Sequence, residues 1–380
     1  MKFYNKAILP QGFKANGISC GIKKSRKLDL ALVFSQFPAA AAVMSTTNDI
    51  AAAPVIVNSA HLKAARKFHA VIANSGNANA FCGKTGIAAA ERMSAAAARA
   101  LGVKKESVFV ASTGVIGRQL PVEKITAAAP ALAAGLSKNG IAKAARAIMT
   151  TDKFVKAATV KFSIDKKPVT ICAVAKGAGM ISPDMATMLV FIVTDAAVSS
   201  AALSSALKAA VGNSFNCITV DGCMSTNDTV ICLANHAAGN RPVAAGKKDS
   251  ALFTFGLETV CLDLAKKMVR DGEGASKFIR IEVCGAKTRA QAKKVALSIA
   301  NSNLFKTAMF ASSQNVRGRI VAAAGAAGAG IKEKELKIGF TSLHRAEISV
   351  RVGIGNGRSS AVIYTSDLTH KYIKINAEYN

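Results

Sequence analysis

Tryptophan is absent and only four tyrosines occur among the 380 residues, so the chain offers few flat rings on which nucleotide bases could stack. Acidic side chains are scarce: 22 Asp and Glu stand against 50 Lys and Arg, a formal charge of +28. Such an excess suits anionic partners, but the cations are dispersed singly or in pairs, as at Lys104 and Lys105 or Lys293 and Lys294. One tighter cluster comes early, at Lys23, Lys24, Arg26 and Lys27. Basic patches interleaved with aromatics are missing, so no nucleic-acid partner is expected, and the field suits small acidic substrates at most. The eight cysteines form no CxxC pair and share no metal-ligand spacing with the five histidines, which argues against a metal site. Several lie in apolar runs such as VTICAVAK and TVICLAN and read as buried free thiols of a reducing compartment. No apolar run approaches the roughly 18 residues of a membrane span, and the opening MKFYNKAILPQGFKANG lacks the apolar core of a secretory signal. A cytoplasmic protein with no membrane partner is the expectation.

What is present describes an ordered globular chain: 51% apolar and 19% charged residues, long enough for two lobes. Short strands (GISCGI, LDLALVFS) open it, followed by VIANSGNANAFCG, a strand running into a small polar loop. Residues 86–101 are rich in helix formers and predict a buried amphipathic helix. SVFVAST reads as a strand, residues 123–149 as Ala-rich helix. ATVKFSI, DKK and VTICAVAK predict a β-hairpin. Helices are expected near 197–212 and 257–270, strands near 216–220, 229–233 and 279–284, and a mostly extended tail over 337–376. Strands and helices mix without strict βαβ alternation, so the fold class is α/β (α+β mixed), with layered sheets covered by helices.

KGAGMISPDMATMLVFIVTDA, residues 176–196, carries the most chemistry. A loop made permissive by Gly177, Gly179 and Pro183 leads into a buried strand beginning at Thr187. Taken alone, Thr187 could be an ordinary β-branched strand residue. The chemical reading is that its hydroxyl attacks the carbonyl of Ala186 and frees a new amino terminus. An amino-terminal threonine carries its own base, because an α-amine titrating near 7.7–8.0 can accept the hydroxyl proton. A neighbouring cation such as Lys176 would lower that value further. Acyl transfer then needs no Ser-His-Asp triad, of which the sequence has no signature.

This segment closely resembles the self-cleavage segment of the ornithine acetyltransferase (glutamate N-acetyltransferase) family, whose nucleophile is the threonine of the M-A-T-M-L run. The resemblance makes Thr187 the nucleophile and Ala186–Thr187 the cleaved bond. It divides the chain into an α chain, 1–186, and a β chain, 187–380. It runs in order through nearly the whole sequence. NSGNANA (74–80) resembles the family's signature loop. ASTGVIGRQLP (111–121) resembles its oxyanion segment, which implies that Thr113 and Gly114 stabilise a tetrahedral intermediate. MTTDKF (149–154) resembles a substrate-contacting stretch and implies a role for Thr151. Lys176, Glu273 in VRDGEGASKF and Asn376 near the carboxy terminus match further substrate positions. SFNCITVDGCMSTNDTV (214–230) reads as architecture close to the site.

The resemblance implies a layered α-β-β-α-type sandwich with a smaller second lobe, and α and β chains assembling as a heterotetramer. It implies acetyl transfer from N2-acetylornithine to glutamate through an acetyl-threonine, as a step of arginine biosynthesis. No cofactor is implied, with acetyl-CoA as a further donor in some members. Two departures bear on substrate affinity. Ser313, Gln314, Asn315, Val316 and Arg317 stand in the region where the family usually has Asp-Pro-Asn-Trp-Gly, and the sequence stops at Asn380 where the family usually continues and uses a terminal Ser or Thr as a substrate ligand. On the residues alone two alternatives stay open: an amidase or aminopeptidase with the same amino-terminal nucleophile, and a catalytically inactive basic nucleic-acid-binding protein.

Overall fold

A computed structural model describes residues 1–182 and 188–378. These fall into two compact units, one of residues 1–177, 188–215 and 224–264, the other of 178–182, 216–223 and 265–378.

The larger unit is built on strands β1 (Lys2–Tyr4), β2 (Phe13–Ile18), β3 (Leu30–Ser45), β4 (Phe68–Asn77), β5 (Val108–Val115), β6 (Lys156–Ile164), β7 (Lys167–Lys176), β8 (Leu189–Thr194) and β9 (Thr229–Ala234). They form one nine-stranded sheet in the order β1-β6-β7-β8-β9-β3-β4-β5, with β2 also on β3. The sixteen-residue β3 belongs to two halves of it. Leu30–Phe34 pairs with β2 and β4, and Ala40–Ser45 pairs with β9, with a register shift between Phe34 and Ala39. Such an irregularity bends a strand, and here it lets the halves pack face to face. Val33, Val71, Ala73 and Phe109 share one core with Cys172, Val174, Phe191 and Leu233. The outer face of the first half (Leu32, Ile72, Val110) is covered by residues of helices Ala53–Ala64, Gly83–Leu101 and Val122–Ala134, and helix Ser200–Gly212 packs on β3 and β9. This is α-β-β-α layering within one unit. Burying each large apolar side chain contributes about 1.5–3 kcal/mol, which is why helix faces and sheet faces alike are apolar.

The predicted hairpin is β6–β7. Ile164 pairs with Lys167, and the two linking residues, Asp165 and Lys166, both have positive φ, +50° and +60°, as a type I′ turn requires. The helical stretch 123–149 breaks into Val122–Ala134 and Ile141–Ala147. Between them Ser137 exchanges backbone hydrogen bonds with Ala15 of β2. A Cβ on Gly140 would lie 1.7 Å from the Ala15 carbonyl oxygen, so only glycine permits that crossing.

The smaller unit has strands β10 (Phe278–Ala286), β11 (Lys337–Phe340), β12 (Glu347–Gly353) and β13 (Ser359–Ser366), in the order β11-β12-β10-β13. Helices Arg289–Ala300, Asn303–Phe310 and Val316–Ala326 close its core over Ile279, Ile281, Val350 and Ile363. The expected strand at 216–220 is instead a 3₁₀ turn, Phe215–Cys217, and a single bridge from Ile218 to Tyr364. After that bridge, in which the Thr219 N–H donates to Tyr364 O, the Val220 N–H turns to Ile181 O, which takes it out of any ladder. The extended tail also ends differently, in helix His370–Ala377, capped by Thr369 Oγ1 accepting from the Lys371 and Tyr372 N–H groups.

All eight cysteines are free; four are buried, while Cys223 is exposed. Among the described residues no helix is long and apolar enough to cross a membrane.

Candidate active site

In the larger unit, Lys176 ends β7 and is almost fully buried. Its Nζ donates to Thr113 Oγ1 on β5 at 3.1 Å. Thr113 accepts in this bond, so its own O–H stays available to donate to a developing negative oxygen. The next residue, Gly114, has φ +140°, and a Cβ there would lie 2.3 Å from the carbonyl carbon of Gly76. The two loops press together so closely because their amides lock them. Asn74 Nδ2 donates to Asn77 O, Asn77 Nδ2 to Arg118 O and Gln119 O, and Ser112 Oγ to Asn74 Oδ1. Asn227 Nδ2 adds bonds to Ala78 O and Ser112 O. The NSGNANA loop is therefore scaffolding that sets Thr113 and Gly114.

Two carboxylates support this cluster: Asp152, missed by sequence reasoning, and Asp228, which lies in the 214–230 block read as architecture close to the site. Asp152 follows Thr151, and its Oδ1 accepts from Lys156 Nζ at 2.6 Å and from the Gly177 N–H at 2.8 Å, while Oδ2 accepts from the Thr150 N–H. Burial alone would raise this carboxyl. The Lys176 and Lys156 charges, with the Lys156 and Gly177 hydrogen bonds, overcome that and hold it down at about 2. A carboxyl depressed on folding stabilises the protein above its unfolded value near 4, and that contribution, on the order of 2 kcal/mol, disappears as pH falls from about 4 towards 2. Asp152→Ala is expected to lower stability at neutral pH by about 3–5 kcal/mol, the usual result of breaking a buried pair. Urea unfolding at pH 7 and pH 3 measures both effects; a loss under ~1 kcal/mol at pH 7 would count against the pair as a structural anchor.

The second carboxylate, Asp228, precedes β9. Its Oδ1 accepts from the Met188 N–H at 2.6 Å, while Oδ2 is buried without a hydrogen-bond partner. Burial pushes this carboxyl well above the ordinary range, against the opposing pull of Lys176. A carboxyl raised on folding holds its proton more tightly in the folded chain, so its burial costs stability at pH values above the unfolded value near 4. Asp228→Asn keeps an acceptor for Met188 and removes that cost. The variant is expected to melt no lower than the wild type at pH 7, with its advantage vanishing below pH ~4, where the unfolded aspartate is also protonated. Thermal midpoints at the two pH values check this.

Thr187 and Ala186, the expected nucleophile and cleavage partner, lie outside the described residues. The residue after them is held at its N–H by Asp228 and at its carbonyl by the Thr229 N–H. Thr151 is half-buried in the loop after helix Ile141–Ala147.

In the smaller unit, Glu273 and Asn376 are brought together although 103 positions apart: Asn376 Nδ2 donates to Glu273 Oε2 at 2.9 Å. The C-terminal helix positions Asn376, and the Glu273 N–H donates to Ala178 O. A Cβ on Gly179 would meet the Glu273 carboxyl carbon at 2.4 Å, so Gly179 gives that carboxylate its space. Asp221, also unforeseen as a holding group, accepts from the Met180 and Ile181 N–H groups at 2.7 and 2.9 Å. Met180 is held with φ +53°, a strained backbone of the kind that collects at functional sites. Among the described residues, no three His, Cys, Asp or Glu are grouped to hold a metal ion.

Residues 14–345 match the ArgJ family. The arginine biosynthesis bifunctional protein ArgJ of Geobacter sulfurreducens is 43% identical over 97% of this chain and 99% of its own. The protein of that name from Caldanaerobacter subterraneus subsp. tengcongensis is also 43% identical, over 98% of each chain. Among solved structures, the ornithine acetyltransferase of Mycobacterium tuberculosis complexed with ornithine is 35% identical over 50% of this chain and 99% of its own, with a TM-score of 0.45. With a family match of this span and relatives covered almost end to end, the chain belongs to the ArgJ family.

Proposed function

We propose that this ArgJ-family enzyme matures by cutting itself between Ala186 and Thr187 and then moves acetyl groups from N2-acetylornithine to glutamate through Thr187. In maturation the Thr187 hydroxyl adds to the Ala186 carbonyl, the C–N bond breaks, and the amide nitrogen takes up the hydroxyl proton. Water then cleaves the resulting ester, leaving an α chain, 1–186, and a β chain, 187–380, which assemble as a heterotetramer. In the acetyl-transfer cycle the free α-amine of Thr187 accepts the hydroxyl proton as Oγ attacks the acetyl carbonyl. The proton passes to the departing ornithine nitrogen, and glutamate takes the acetyl group by the reverse sequence.

The observation that carries this reading is the buried Lys176–Thr113 contact at 3.1 Å. It presents a cation and a hydroxyl donor, beside Gly114, for the negative oxygen that every one of these steps develops. Glu273, oriented by Asn376, offers a carboxylate for a substrate ammonium group; Thr151 and Lys176 of the larger unit are substrate positions by the family resemblance. Acetyl-CoA is a second donor compatible with the scheme, which needs no cofactor or metal and suits a cytoplasmic enzyme.

The test is to trap the intermediate. With N2-acetylornithine and no glutamate, peptide mass spectrometry should find one acetyl group on Thr187, and adding glutamate should discharge it as N-acetylglutamate faster than water does. Acetyl lost to water as fast as to glutamate would make the enzyme an amidase; no acetyl on Thr187 would refute the nucleophile.

A further inference from the structure

Three members of the early basic cluster, which the acetyl-transfer scheme leaves unused, line a cavity of about 510 Å³ in the larger unit. Its walls carry Lys23, Arg26, Lys27 and Arg146, together with Thr150 and Asp152. Four cations thus face one carboxylate, and that carboxylate is already engaged by Lys156, the Gly177 N–H and the Thr150 N–H. The other acidic group nearby, Asp29, is fully buried and consumed by the N–H groups of Cys20, Ile22 and Lys23 at 2.6–2.9 Å. Asp29 thereby folds the loop that presents the cluster. In that loop Arg26 is held at φ +55°, unusual for a residue with a side chain and of the kind found at ligand clamps.

Lys23 staples the wall together. Its Nζ donates to Leu28 O at 3.0 Å and Met149 O at 2.7 Å, so one of its three N–H groups remains for a ligand. Burial draws this ammonium down to about 8 in spite of the opposing pull of Asp29 and Asp152. Arg26, Lys27 and Arg146 are exposed and have no carboxylate within ion-pair distance among the described residues.

We propose that this cavity is a binding site for the phosphate groups of a multiply phosphorylated small molecule, additional to the residues assigned to the amino-acid substrates. Guanidinium forks and ammonium groups are the natural partners of phosphate. Two phosphates, each carrying about −1.5 to −2, balance four cations, which one carboxylate does not. The volume is that of a small-molecule pocket and far exceeds a single anion. Two sources share this chemistry: a phosphorylated carrier delivering the acyl group, or a phosphorylated effector. Asp152 links the cavity directly to Gly177 and so to Lys176, and either source could act through that link. The carrier alternative rests on the acetyl-transfer reading; the binding site does not.

The test is calorimetric titration of the full-length protein with adenosine 3′,5′-bisphosphate at low ionic strength, with inorganic phosphate and glutamate as competitors. The wild type should bind the bisphosphate, and Arg26→Glu with Arg146→Glu should weaken binding about tenfold to a hundredfold, the effect of losing charge-assisted hydrogen bonds. Its circular dichroism and melting midpoint should match the wild type. The equally charged control Lys332→Glu with Lys334→Glu, away from the cavity wall, should bind as the wild type does. No binding by the wild type overturns the proposal, as does an equal loss in both double variants, which would reduce the effect to the overall +28 charge. Displacement by glutamate or inorganic phosphate at concentrations comparable to the bisphosphate would also overturn it, by making the site one for simple anions. The sources then separate by kinetics. If the bisphosphate competes with acetyl-CoA as acetyl source for glutamate, the ligand is the carrier. If it alters transfer from N2-acetylornithine without competing, it is an effector. Both outcomes uphold the site. An enzyme that binds the bisphosphate but transfers nothing would refute the acetyl-transfer reading alone.

Discussion

Thr187→Ala is expected to remain a single chain of 39.2 kDa and to transfer no acetyl group, while freshly purified wild type runs as two fragments with Thr187 at the new amino terminus. The variant loses both chemical functions at once. Without the hydroxyl, nothing adds to the Ala186 carbonyl, and an uncut peptide bond keeps the nitrogen of residue 187 an amide with no lone pair to serve as a base. Thr187→Ser keeps the hydroxyl and should still cut and transfer, more slowly. The described flanks suit such a reaction. Upstream, Asp221 grips the N–H groups of Met180 and Ile181, and downstream Asp228 grips that of Met188. Intact-mass measurement decides the matter. Cleavage of the alanine variant at 186–187, or full acetyl transfer by an uncut wild-type chain, would sink the proposal.

Thr113→Val should lower the rate of acetyl transfer by about 10²–10³-fold, the usual result of losing one oxyanion donor. Valine matches threonine in shape and fits the buried β5 position, so the variant should fold; Thr113→Ser should recover most of the rate. In the proposed cycle both half-reactions pass through a tetrahedral oxyanion. Acetylation of Thr187 by N2-acetylornithine and its discharge by glutamate should therefore slow by similar factors, in kcat more than in KM. Maturation should slow as well, so rates are referred to the cleaved fraction measured by mass. A rise confined to KM, with kcat unchanged, would make Thr113 a substrate contact instead of a transition-state donor.

Much of the secondary structure was legible because it is local. The β6–β7 hairpin follows from alternating apolar residues around Asp165 and Lys166, and the helix Gly83–Leu101 from its run of helix formers, stopped by Gly102 at φ +68°. Where long-range contacts overrode local preference, the sequence reading missed. The Ala-rich stretch breaks because Ser137 bridges to Ala15, and residues 216–220 leave the expected strand where Ile181 O claims the Val220 N–H. The final helix, hidden in a β-rich tail, is announced only by Thr369 as its cap.

The same division holds for the site. By itself the sequence singled out the proposed nucleophile segment and, through the family resemblance, named Thr113, Gly114, Lys176, Glu273 and Asn376, because each lies in a contiguous motif readable without knowing what it touches. Only the tertiary structure decided that Lys176 reaches Thr113 across 63 positions and that Asn376 orients Glu273. It alone revealed Asp152, Asp221 and Asp228 as the carboxylates gripping the backbone before and after the proposed cleavage segment. An aspartate in a sequence looks like a solvated surface charge. Its burial, its protonation and the N–H groups it holds depend on strand register and chain crossings fixed by the whole core, and no local pattern encodes them.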